Sequence, residues 1–247
     1  MAAALHDKAF PSVRHQLPKA SFKSVIQNQT LDDALIQAIG AYDYPPITYD
    51  FIDGHERVFP SMIDLEHFLK ELLLSGDVRR LKDGLSGIIF WGYYRVNYRD
   101  RRVKTFRDQV CDTHLRSANE IFPTLEGAGL MLLKRIGLPQ FTNMAFTTKL
   151  RTFLDPDHYC VLDKKIASLA PLAIRLKREQ TYIPITAHNE LAYRWWVDSC
   201  SALGSRLQIK VRPVDIERGF FQLVNDKHVH LAEKLLERFE TVAPPDR

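Results

Sequence analysis

From Ser61 onward the apolar residues of this chain recur at three- and four-residue intervals in one segment after another, with short stretches rich in Gly, Pro and Asp between the segments. That spacing puts side chains on one face of an α-helix and does not fit the two-residue repeat of a half-buried strand. The run Met62, Leu65, Phe68, Leu69 and Leu72, entered through Ser61, is the clearest case. The same pattern predicts helices over 79–95, 98–118, 124–136, 141–154, 164–177, 187–203, 215–224 and 227–240, the last packing through Val229, Ala232, Leu236 and Phe239. Extended pieces are expected only at Thr181–Thr186 and Leu207–Arg212. Upstream, Thr30 and Asp33 frame a helix start in the manner of a capping box, with Leu31, Leu35, Ala38 and Ile39 on one face. Between these helices two β-prone runs, ITYDFI and HERVF, flank Asp53-Gly54, a pair that tolerates the positive φ of a tight hairpin turn. The expected fold is therefore mainly α, a multi-helix bundle with a small N-terminal β-hairpin. Residues 1–29 lack periodicity and read as a loose lead-in, and 241–247 read as a disordered tail.

Several function classes drop out. No apolar run approaches the ~20 residues of a membrane span, and the opening MAAALHDKAF has no basic region followed by an apolar stretch, so no secretory signal is expected. The three cysteines, Cys111, Cys160 and Cys200, are odd in number and widely spaced, which argues against a disulfide framework and for a reducing compartment. No C-x-x-C occurs, and the His228-x-His230 pair has no carboxylate spacing to support it, so we expect neither a metal nor another cofactor. P-loop, dinucleotide and nucleophile-elbow motifs are absent from the sequence. These features point to a soluble protein of the cytoplasm without membrane partners, and we expect a monomer.

The net charge of +4 conceals an asymmetry. Residues 1–78 carry 6 Lys/Arg against 11 Asp/Glu, whereas 79–247 carry 28 against 19, which suggests an acidic N-terminal segment ahead of a basic helical domain over 79–240. Between Arg79 and Arg107 stand nine basic residues, opposed in the sequence only by Asp83 and Asp100. Such a block suits a polyanion, because each phosphate contact releases condensed counterions. Its bland alternative is a solvated helix face with no partner.

The stretch from Ile136 to Ala167, IGLPQFTNMAFTTKLRTFLDPDHYCVLDKKIA, carries the chemistry. One helix ends at Ile136-Gly137, Leu138-Pro139 turns the chain, and a second helix runs to Leu154. A helix entered through a tight turn presents backbone N–H groups to a phosphate. An apolar run, Tyr159 to Leu162, then delivers Asp163 to the start of another helix, where a carboxylate in a partly dry site can stabilise a cationic transition state or orient a water. Asp163 is equally a good helix N-cap, and the two roles are compatible.

This arrangement resembles the helix-hairpin-helix DNA glycosylase superfamily, in particular its branch of 8-oxoguanine DNA glycosylase-like proteins. The resemblance covers about residues 80–224. It rests on the hairpin Ile136-Gly137-Leu138-Pro139, on Val161-Leu162-Asp163, on the opening helix LSGIIFWGYY from Leu85 to Tyr94, and on Arg212-Pro-Val-Asp-Ile-Glu-Arg218. It implies that Asp163 is the catalytic carboxylate, stabilising an oxocarbenium-like sugar as a flipped base departs. The basic block supplies the DNA contacts we expect from Arg95, Arg99, Arg101, Arg102 and Lys104, and the hairpin with its second helix those from Gly137, Gln140, Thr142, Asn143 and Lys149. A base pocket would involve Trp91, Tyr94 and Met144. The chain departs from the family in three respects, one being that it lacks the Cys cluster of the iron–sulfur branch. The glycine-rich turn Leu-Pro-Gly-x-Gly reads Leu138-Pro139-Gln140-Phe141-Thr142, and Met144 stands where bifunctional members place a Schiff-base lysine. Water is therefore the expected nucleophile.

For the aromatic residues, Phe90 to Tyr94 and Tyr193, Trp195 and Trp196, a place in the core competes with a base-stacking role. Two rival functions stay open at this point. One is a non-catalytic DNA-binding protein that has kept the fold, which the altered hairpin favours. The other is a helical protein-interaction module whose basic face is only solvated.

Overall fold

The computed structural model describes residues 30–207 and 209–240. The expectations for the lead-in 1–29 and the tail 241–247 lie outside the described residues. Helix α1 (Leu31–Gly40) is followed by β1 (Ile47–Asp50), β2 (His55–Val58), α2 (Met62–Leu73), α3 (Val78–Gly92), α4 (Arg99–Gln109) and α5 (Asp112–Ile121). The second half holds α6 (Leu130–Ile136), α7 (Met144–Leu154), the short α8 (Ala170–Ala173), α9 (Ala187–Arg206), α10 (Pro213–Asn225) and α11 (Val229–Glu240). The result is a mainly helical bundle with one antiparallel strand pair among the described residues. None of the helices is long and apolar enough to cross a membrane.

The strand pair differs from a two-residue hairpin. Pairing closes at Asp50↔His55, so Phe51–Gly54 form a four-residue loop. Asp50 organises it: its Oδ1 accepts from the N–H of Ile52 (3.0 Å) and Asp53 (3.2 Å), and Gly54, at φ +74°, donates to Asp50 O at 2.8 Å. β1 is buried against α3, where Thr48 Oγ1 donates to Gly87 O at 3.2 Å, while β2 is exposed along its length.

Three predicted helices are shorter or broken, each for a local reason. The helix expected over 98–118 divides into α4 and α5 because Val110 takes extended backbone angles and Cys111 begins a new turn. That expected over 124–136 is reduced to α6, since Gly127 and Gly129 adopt positive φ and no helix passes through them. Over 164–177 only a 3-10 turn (Ile166–Ser168) and α8 form: Pro171 fits the first turn of a new helix and breaks the old one. Thr181–Thr186 contributes a single bridge, Asn143↔Pro184, and 207–212 holds no strand among its described residues.

α7 is the central element. All of its residues except Ala145 are buried, so it has no solvated face on which to place its polar side chains. Its threonines satisfy themselves on carbonyls: Thr147 Oγ1 donates to Phe141 O (2.8 Å) and Thr152 Oγ1 to Thr148 O (2.8 Å). Around it α2 packs on α3 through Leu65, Leu69, Leu81 and Leu85, and α1 packs on α10. That last approach depends on Gly219, where a Cβ would stand 2.7 Å from Leu35 Cδ1 and 2.8 Å from Ile39 Cγ1. α11 buries Ala232, Leu235 and Leu236, and Val229 stays largely exposed.

A buried ion network ties α2 to the start of α10. Glu66, with no exposure, accepts from Arg212 Nη1 at 2.7 Å and from Arg218 Nη2, and Asp215 accepts from both arginines. Burial pushes Asp215 up, yet the hydrogen bonds from Arg212 outweigh it and hold the carboxyl below the usual carboxylate range.

Candidate functional site

The apolar run before Asp163 is not a strand, yet its backbone is held as firmly as one. Tyr193 OH donates to Cys160 O (2.9 Å) and Trp196 Nε1 to Val161 O (2.9 Å), while Leu162 N donates to Thr148 Oγ1 (3.0 Å). Tyr193 and Trp196 are therefore core residues with a second duty: from α9 they take over the hydrogen bonds a neighbouring strand would have made. The run ends on Asp163, whose Oδ1 accepts from the N–H of Lys165 (2.9 Å) and Ile166 (3.0 Å) and so caps the 3-10 turn.

Asp163 is also felt by buried groups. It acts electrostatically on Lys149 of α7, on Glu217 of α10, and on Tyr42 and Tyr44 of the loop between α1 and β1. Lys149 is 9% exposed and Glu217 5%, while Asp163 is only half-buried. The Lys149 stem runs past Gly92, where a Cβ would lie 3.2 Å from Lys149 Cδ, and its ammonium has Ala145 O at 3.5 Å and the Phe146 ring at 5.3 Å. Desolvation lowers the Lys149 amine from its ordinary range even though Asp163 and Glu217 favour its charge. Burial, reinforced by Asp163, pushes Glu217 up to about 8 against the pull of Arg218 and Lys149. Burial thus favours the protonated form of Glu217, with the Lys149 amine and the Asp163 carboxyl both acting on it electrostatically. Tyr42 is driven up by its own burial and by Glu217.

The sequence-predicted DNA contacts fall into different settings. The acids Asp43, Glu56 and Glu71 of the N-terminal segment reach the basic block: Arg95 pairs with Asp43 (2.9 Å), Arg99 with Glu56 (2.9 Å) and Asp100 (2.8 Å), and Arg80 with Glu71 (2.7 Å). Arg107 pairs with Asp83 (2.7 Å) and Lys104 with Asp108 (2.6 Å). Opposition by Asp83 and Asp100 alone was a property of the local sequence, and folding adds four acids. Arg101 is exposed, and Arg102 reaches Gln140 Oε1 at 3.4 Å.

In the turn between α6 and α7, Gly137 (φ +76°) and Gln140 (φ +68°) are both left-handed. Thr142 is exposed, and Asn143 caps α7, its Oδ1 accepting from Phe146 N at 3.2 Å. Of the residues proposed for a base pocket, Met144 has no exposure and Trp91 packs edge-on against Tyr44 and Phe153, so both are core; Tyr94 is half-buried. Lys149 is buried, with its ammonium near Ala145 O and the Phe146 ring. A cavity of about 430 Å³ opens instead beside the start of α7, lined by the rings of Tyr93, Tyr98, Phe146 and Tyr182 and by Lys164 and Arg178.

Sequence reasoning missed Glu217 and Tyr42. Glu217 lies inside the singled-out segment Arg212–Arg218, but nothing in a linear pattern distinguishes it from a solvated glutamate on an α-helix. Among the described residues no group of three or more His, Cys, Asp or Glu side chains is placed to hold a metal ion. No protein-family model matches this chain, and neither a curated protein nor a solved structure shows significant similarity to it.

Proposed function

We propose that this chain is a DNA glycosylase-like hydrolase that cleaves the N-glycosidic bond of a modified or damaged base, with Asp163 as its essential carboxyl group. The observation that carries the reading is the placement of Asp163: half-exposed, at the end of a firmly held backbone run, and acting electrostatically on the buried Lys149 and Glu217. The left-handed Gln140 supports it, since it occupies the position where the hairpin of the resembled superfamily has a glycine.

In this reading the C1′–N bond breaks with its electron pair leaving on the base. Asp163 stabilises the positive charge that develops on the sugar, and Lys149 behind it balances the carboxyl charge. A water adds its oxygen to C1′ and gives up a proton, while the departing base takes one up. Met144 carries a thioether and no amine, so this position offers no Schiff-base nucleophile to the sugar.

The test is an abasic-site assay over a panel of modified duplexes. Asp163→Asn is expected to lose on the order of 10²-fold in base release, with folding kept because Asn still accepts the Lys165 and Ile166 N–H bonds. Borohydride should trap little enzyme–DNA adduct; an adduct that disappears in Lys149→Met would replace water by this amine. Wild-type rates in Asp163→Asn would remove the carboxyl from the mechanism.

A second reading, a non-catalytic DNA-binding protein, is favoured by the purely structural duty that Asp163 already performs as a cap. DNA binding without base release from any duplex would select it.

A further inference from the structure

The cavity beside α7 belongs to neither the Asp163 cluster nor the predicted base pocket. Phe146 adjoins both: the ring forms part of the cavity wall and stands 5.3 Å from the Lys149 ammonium, which does not line the cavity. The cavity's composition is specific. Tyr93 and Phe146 lie 4.6 Å apart at 33°, Tyr98 follows 5.5 Å from Tyr93, and Tyr182 stands on the wall, so four aromatic rings contribute to the lining. Lys164 and Arg178 place cations at the same cavity, and the Arg102 guanidinium sits 5.8 and 5.5 Å from the Tyr93 and Tyr98 rings. Arg102 Nε is buried with no hydrogen-bond partner among the described residues, an unmet donor beside the rings. Tyr98 and Tyr182 are 38% and 49% exposed, unusual for large aromatics that only fill a core. The volume, about 430 Å³, falls within the roughly 300–1,000 Å³ of small-molecule sites.

We propose that this cavity is a second nucleotide subsite, which holds one unpaired nucleotide of a DNA strand with its base against the tyrosines and its phosphate toward Lys164 and Arg178. Aromatic faces bind any base by stacking, and cations nearby track the backbone. Glu179, also on the wall, offers an acceptor to an exocyclic amino group rather than to phosphate. Lys164, on the wall, directly follows the proposed catalytic Asp163 in the chain. The choice of DNA as the polymer rests on the function proposed above.

The test is equilibrium binding of the full chain, read by fluorescence anisotropy, to a paired duplex, the same duplex with one bulged nucleotide, and a single strand. Wild type is expected to prefer the two ligands with unpaired nucleotides. Tyr98→Ala and Tyr182→Ala should each weaken those two at least about 5-fold and leave the paired duplex unchanged. Tyr98→Phe should restore binding, which separates stacking from misfolding, and Lys164→Ala should lower the salt slope by about one. Equal losses on all three ligands, or none, overturn the proposal. So does a free deoxynucleoside monophosphate that saturates the protein while the oligonucleotides fail to compete. Base release is not read in this experiment: a protein that binds as described but cleaves nothing refutes only the glycosylase reading, and one that cleaves without the preference refutes only this subsite.

Discussion

Replacing Glu217 by Gln should make the protein more stable, and increasingly so as pH rises. The neutral amide copies the size and shape of the protonated carboxyl. In the native state burial and the nearby Asp163 move Glu217 from 4.5 to about 8, with Arg218 and Lys149 pulling the other way and Asp215 and Tyr42 completing its charged surroundings. The folded pKa is raised, so below about 4.5 both states are protonated and the group has no effect. Between about 4.5 and 8 the unfolded chain releases its proton and the folded chain keeps it, so stability falls as pH rises, and above 8 the loss is complete. At about 1.4 kcal/mol per pH unit, the wild type should lose about 3 to 4 kcal/mol from this group between pH 5 and pH 8. That is a large share of the ~5–15 kcal/mol by which most domains are stable. Glu217→Gln removes this slope. Urea unfolding at pH 5, 6, 7 and 8 reads the difference directly: the two proteins should nearly coincide at pH 5, and their midpoints should separate by about 1 M or more at pH 8 for a slope of 2–3 kcal/mol per molar. Parallel stability curves across that range would show that Glu217 is ionised in the folded protein and would refute the picture of a protonated carboxylic acid behind Asp163.

Three other perturbations probe the same architecture. Arg99, Arg101 and Arg102 changed together to Ala should flatten the salt dependence of duplex binding by about one to two, fewer than three because Arg99 is already engaged by Glu56 and Asp100; an unchanged slope would remove α4 as a DNA-facing element. Glu66→Ala leaves Arg212 and Arg218 without their buried partner and should cost about 3–5 kcal/mol by chemical denaturation; a cost under 1 kcal/mol would mean that Asp215 alone suffices. Gly92→Ala would put a Cβ 2.8 Å from Phe146 Cε1 and 3.2 Å from Lys149 Cδ. It should destabilise by about 1–3 kcal/mol through overpacking, and a melting temperature at or above wild type would show that the Phe146 ring has room to move.

The sequence by itself determined the helical class, because a three-to-four-residue apolar repeat has only one regular structure that buries it. It also located α2 and α9 to within a few residues and found the turn between α6 and α7 from Gly137 and Pro139, since Gly and Pro act through their own backbone chemistry. Where prediction overran, at 98–118, 124–136 and 164–177, local breakers at Val110-Cys111, at Gly127 and Gly129, and at Pro171 had more weight than the apolar pattern around them. Asp163 could be singled out because the apolar run before it is contiguous with it. Only tertiary structure decided the rest. Asp43, Glu56 and Glu71 are far from Arg95, Arg99 and Arg80 in sequence or face away in the linear order, so the neutralisation of the basic block was invisible before folding. Lys149 and Glu217 look like surface residues on any helical wheel. Lys149 is buried because α7 is packed against α2, α3 and α6, and Glu217 because α10 is packed against α1, α9 and α11; the cost of desolvating a charge depends on what surrounds the side chain, not on its neighbours in the chain.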